Sequence, residues 1–233
     1  ENFSGSFTQA DINTLQTYIA KANAPSCGFG ITQAVFRVTM VEAVITWQTP
    51  EFDQSASRIY ENQNNVQPGA SLATTNAMAD VQQNSQFRIR AGISDSYTNW
   101  LTGAWGNHNN QYKLQYAERT AGSCSAQVSG WGDVLSGSGA IRWYDNPGVA
   151  DNATISSYVS DPIVSGSPTH QTYRESNPFT NSTQINTGNT GLWDFSLVNS
   201  SSAYGTVYCF RIVKSDGTLI NNYTQYPSIV ITG

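Results

Sequence analysis

Apolar and polar residues alternate with a period of two along much of this chain, which predicts strands rather than helices. In "QYKLQYA", Tyr112, Leu114 and Tyr116 alternate with Gln111, Lys113 and Gln115, and in "QFRIRA" Phe87 and Ile89 alternate with Arg88 and Arg90. Both read as half-buried strands, one face toward a core and one toward water. "AIRWYD", "LWDFSLV", "TVYCFRIVK" and "SIVITG" add further strands, separated by Gly, Ser, Asn and Pro clusters and, after Lys214, by the hairpin-like "SDGT". Many short strands with long polar connections predict an all-β, antiparallel sandwich of immunoglobulin-like or jelly-roll-like type.

The first residues break this pattern. "TQADINTLQTYIAKANA" predicts a short N-terminal helix: Thr8 is placed to cap it with Asp11 three residues on, and Ile12, Leu15 and Ile19 recur every three to four residues. The helix should end near Ala24-Pro25. "AVFRVTMVEAVITW" then changes phase, with Phe36, Val38 and Met40 at even positions but Val41, Ala43, Ile45 and Trp47 at odd ones. A bulge near Met40 to Glu42, or a strand whose halves face different cores, produces such a change. The second possibility would bear on assembly.

Composition narrows the class. Only 12% of the 233 residues are charged, against about 25% in an ordinary soluble domain, so the surface is polar but largely uncharged, as suits a secreted or cell-surface protein. A net charge of −5 with 11 scattered Lys and Arg residues makes no basic stripe, which excludes nucleic acid and anionic membranes as partners. No apolar run reaches the roughly 18 residues of a spanning helix. The opening "ENFSGSF" fits a mature chain whose export signal has been removed.

Candidate chemistry is sparse. Cys27, Cys124 and Cys209, in a chain that reads as exported, are expected to pair rather than to stay reduced. The cysteines and the two histidines, His108 and His170, have no zinc-site spacing, and neither histidine stands in a recognisable nucleophile-base signature. Glu118, Asp133, Asp145 and Asp194 are conceivable glycosidase carboxylates, but sequence pairs none of them. Most of the 16 acids read as solvated, and the chain is expected not to be an enzyme. "YDNPGVADNAT" gathers Asp145, Asn146, Asp151 and Asn152 in one loop, oxygen ligands of the kind that suit Ca²⁺, the one cofactor considered. Trp100, Trp105 and Trp131 lie in Gly- and Asn-rich stretches and are candidates for stacking on glycans or anchoring a subunit interface, whereas Trp143, Trp193, Tyr208 and Phe210 read as core. Five sequons place possible glycosylation at Asn2, Asn152, Asn181, Asn199 and Asn222.

Taken in order, "SRIYENQNNVQPGASLATTNAMADV", "SQFRIRAGI", "QYKLQYAERTAGSCSAQVSGWGDV", "AIRWYDNPGVADNATI", "TYRESNP" and "GLWDFSLVNSSSAYGTVYCFRIVKSDGTLINNYTQYPSIV" resemble a module repeated in large secreted surface proteins of uncultivated, candidate-phylum bacteria. The resemblance covers about residues 53–233 and brings no catalytic residues; it implies a division into an N-terminal segment, 1–52, suited to assembly, and a sandwich module, 53–233. It implies an extracellular structural or adhesive role, and it implies a Cys124–Cys209 disulfide, because the cysteines of "AGSCS" and "YCFR" recur together in the module. Cys27 is then left over, as a buried thiol or a link to another chain. The expectation is an extracellular subunit of a pilus-like filament or surface layer that binds copies of itself through strand and aromatic contacts; the alternatives are a carbohydrate-binding adhesion module and, last, a secreted hydrolase.

Overall fold

The computed structural model describes residues 52–95, 111–164, 166–186, 188–200 and 202–233. The segments expected to form an N-terminal helix and a long phase-changing strand, with Cys27, His108, Asn2, Trp100 and Trp105, lie outside them. Among the described residues eleven strands follow in order: β1 (Phe52–Glu61), β2 (Ala79–Gln82), β3 (Gln86–Asp95), β4 (Gln111–Glu118), β5 (Gly132–Asp133), β6 (Ile141–Trp143), β7 (Pro168–Arg174), β8 (Phe179–Thr180), β9 (Thr190–Asn199), β10 (Val207–Lys214) and β11 (Ser228–Thr232). They form a β-sandwich. One sheet runs β1-β3-β9-β6 with β7 also beside β9, and the other runs β2-β11-β10-β4-β5 with β8 also beside β4.

The sandwich is as expected and its strand pairings are antiparallel except for two, β2 with β11 and β7 with β9, which are parallel. The connection explains the second of them. After β7 the chain crosses to the other sheet, forms β8 against β4, and only then returns as β9, so no hairpin forces β7 and β9 to run oppositely.

The core lies between the sheets. Ile59, Phe87, Ile89, Trp193, Phe195 and Leu197 of the first sheet pack with Val81, Leu114, Phe210, Ile212, Ile229 and Ile231 of the second. Phe87 and Phe210 meet edge-on across the two sheets at 6.2 Å between ring centroids. Trp143 and Trp193 are buried as expected, and each indole N–H finds a backbone acceptor, Val134 O at 2.8 Å and Thr180 O at 3.2 Å. The "SDGT" turn is present, with Gly217 at φ 89° and the Lys214 N–H donating to Thr218 O, but its second arm makes only a single bridge, Leu219 to Val213.

β4 is half-buried as its alternation predicts. β3 is not: Arg88 and Arg90 have no exposed surface. The loops that cover them also blunt the sheet's edges. Leu72 N donates to Ile59 O and Glu61 N to Ala70 O along β1, and Tyr173 N donates to Ala153 O along β7. β2, four residues long, pairs with β11 alone among the described strands.

Candidate functional site: the open face of the second sheet

The outer faces of the two sheets are built differently. On the first sheet, Asp194 of β9 receives Arg88 Nε and Nη2 at 2.8 and 2.7 Å and Arg90 Nε at 2.9 Å. The remaining guanidinium donors reach outward to the loops: Arg88 to Asn65 O and Val66 O, Arg90 to Ser156 O, Gln67 Oε1 and Asp161. Tyr173 lies under the Arg88 guanidinium at 4.6 Å. Burial raises the Asp161 carboxyl pKa, but hydrogen bonds from Tyr158 N, His170 and Arg90 outweigh it and hold the group below its ordinary value. This buried network fastens polar loops to a sheet and presents nothing to a ligand.

On the outer face of the second sheet Ala117, Cys209 and Val213 are buried, but among the described residues the polar side chains of Lys113, Gln115 and Arg211 are half-exposed and form an open patch. Strand register sets Asp133 of β5 opposite Gln115 of β4, and Gln115 opposite Arg211 of β10. The three are joined in a row: Arg211 Nε donates to Gln115 Oε1 at 3.0 Å, and Gln115 Nε2 donates to Asp133 Oδ1 at 2.9 Å. Lys113 Nζ pairs with Asp133 Oδ2 at 3.1 Å. Burial raises the Asp133 carboxyl pKa, yet Gln115 and Lys113 outweigh it and keep the group ionised. At the other end the Arg211 guanidinium sits 4.3 Å from the centroid of the Trp131 ring, and Tyr226 lies beyond Trp131 at 5.9 Å and against Tyr223 at 5.3 Å. Burial lowers the Arg211 pKa, but an arginine starts so high that it stays charged.

The Cys124–Cys209 disulfide is formed, with the Cα atoms 5.6 Å apart. Cys209 projects from the outer face of β10, one alternation from Arg211, so the bond ties down the β4–β5 loop that delivers Trp131. Within that loop the Gln127 side chain accepts from Thr120 N and Ala121 N and donates to Ser129 O, and the Trp131 indole N–H donates to Gln127 O at 2.9 Å. These bonds fix where the indole points.

The other candidates are dispersed. Asp194 is buried between arginines, Asp133 belongs to the row, and Asp145 is exposed on another loop. Asp151 accepts from Glu175 N, Asn152 N and Ser176 Oγ and faces Arg174 at 3.5 Å, so its oxygens staple the end of β7. Among the described residues no three His, Cys, Asp or Glu side chains group as metal ligands. Asn152 and Asn222 are exposed and Asn181 is partly so. Asn199 is a correction: it has no exposed surface, its Nδ2 donates to Gln82 O and its Oδ1 accepts from Asn84 N, so in the folded chain it is a structural bracket rather than an acceptor for sugar. Sequence reasoning singled out Trp131 but gave Gln115, Arg211, Tyr223 and Tyr226 no role in a site. Comparisons with protein-family models, curated proteins and solved structures find no match.

Proposed function

We propose that this chain is a non-enzymatic extracellular surface protein that binds carbohydrate on the open face of its second sheet. The observation that carries this reading is the row Asp133, Gln115, Arg211 and Trp131, in which planar hydrogen-bonding groups run straight into an aromatic face. Sugars need both: hydroxyl pairs exchange hydrogen bonds with carboxylates, amides and guanidinium groups, while the C–H face of the ring packs on indole or phenol. The largely uncharged composition and the disulfide support an extracellular setting. Trp131→Ala should weaken retention in polysaccharide affinity gels by about tenfold, the loss expected when an aromatic anchor is truncated. Equal retention of the variant, or no retention of the native protein by any polysaccharide, would remove the reading.

A second reading, a filament or surface-layer subunit, is favoured by the side of β2 that no described strand pairs and by the resemblance of residues 53–233 to a repeated surface module. A strand from another copy added there would gain a row of backbone hydrogen bonds. Negative-stain microscopy of native, undigested protein should then show uniform fibres or sheets; dispersed single particles at high concentration would count against it.

A further inference from the structure

The open face has an unbalanced charge, and that imbalance bears on which carbohydrate it would take. Lys113 and Arg211 bring two cations to the row and Asp133 one anion. Lys113 is matched with Asp133, whereas Arg211 enters no ion pair with a described residue. Its Nε is committed to Gln115 and one face of its guanidinium to Trp131, but Nη1 and Nη2 have no hydrogen-bond partner among the described residues. The arrangement fixes the plane of the group and leaves its terminal donors unused on a partly exposed face. The contrast with the other sheet is direct. Arg88 and Arg90, which also lie over tyrosine rings, at 4.6 and 5.7 Å, have their Nη donors taken up by protein oxygens.

A planar, immobilised guanidinium edge matches a carboxylate, which accepts two parallel hydrogen bonds from it. We propose that the open face selects acidic glycans of the uronic-acid type, Arg211 receiving the sugar carboxylate while the Trp131 and Tyr226 rings take the ring face. The whole chain carries a charge of −5, so this preference is local to the row and works against the protein's overall field. It should therefore depend on contact rather than on long-range attraction, and persist in salt that screens charges beyond about 8 Å.

The inference rests on the carbohydrate reading, and the experiment separates the two. Polygalacturonate and the same polymer with its carboxylates reduced to alcohols are compared as ligands of the disulfide-intact native protein in affinity gels at physiological salt. The charged polymer should bind at least about tenfold more tightly, the effect of one charge-assisted contact. Arg211→Met should erase that difference, weakening binding of the charged polymer by about tenfold more than binding of the reduced one, and Arg211→Lys should keep part of it. Equal binding of both polymers by the native protein would overturn the acidic preference and leave the carbohydrate reading standing. Binding of neither would overturn the acidic preference, and the carbohydrate reading would fall with it only if no other polysaccharide is retained. A preference for the charged polymer that survives Arg211→Met would also overturn the proposal, because it would place the selecting charge elsewhere. If Arg211→Met fails to form the disulfide, Arg211→Gln, which keeps a planar donor without charge, replaces it with the same expected loss of preference.

Discussion

Replacing Asp194 by alanine should destabilise the sandwich by about 3–5 kcal/mol, the cost of removing one partner from a buried ion pair. Asp194 has no exposed surface and neutralises two arginines that have none either. Without it, two guanidinium groups would remain in the covered face with Asp161 as their one remaining carboxylate partner among the described residues, and of the two arginines Asp161 pairs with Arg90 alone. Simple buried ion pairs are often replaced by apolar residues at no cost, but this network should resist that exchange. Arg88 and Arg90 also supply donors to Asn65 O, Val66 O and Ser156 O, so apolar replacements would free these irregular loops from the sheet they cover. The triple change Arg88→Met, Arg90→Met and Asp194→Leu should therefore also unfold at lower urea than the native chain. Urea titration followed by tryptophan fluorescence measures both variants; an Asp194→Ala midpoint equal to that of the native protein would show that the network is not needed for stability.

The arginines also show where legibility in the sequence ends. Alternation correctly located β3, β4, β9 and β10, because a strand with one face in the core writes its apolar residues at every second position. Alternation cannot say whether the polar face is wet. "QFRIRA" and "QYKLQYA" have the same pattern, yet loops cover Arg88 and Arg90 while Lys113 and Gln115 stay half-exposed. Coverage is a long-range property: the segments that bury Arg90 come from Gln67, Ser156 and Asp161. The candidate site was legible in the same partial way. Trp131 stood out by its loop context, but its neighbours come from β4, β5 and β10, and only the pairing register sets Asp133, Gln115 and Arg211 in one row. Asn199 shows the converse failure, a motif that matches in sequence while the fold uses its side chain to join β9 to the β2–β3 turn.

Removing the disulfide, as Cys124→Ser with Cys209→Ala, should lower stability and disable the open face together. The two cysteines are 85 residues apart, and a crosslink closing a loop of that length restrains the unfolded chain by roughly 4–5 kcal/mol in the chain-entropy account. Part of the effect should be local. From Thr120 to Gly130 the β4–β5 loop buries only Gln127, and Gln127 bonds to Thr120, Ala121 and Ser129 of the same loop, closing it on itself rather than onto the sheet. With the covalent bond gone, the stack of Trp131 on Arg211 is left to hold the loop against β10, and such a contact contributes only about 0.5–2 kcal/mol. The double variant should then show fast amide exchange through 120–130 under conditions where β3 and β9 remain protected. Its affinity for carbohydrate should fall with that protection, while native circular dichroism persists. An unfolding midpoint and loop protection unchanged from the native protein would mean that the loop holds its place without the bond, and the site would then have to be understood as a property of the sheet alone.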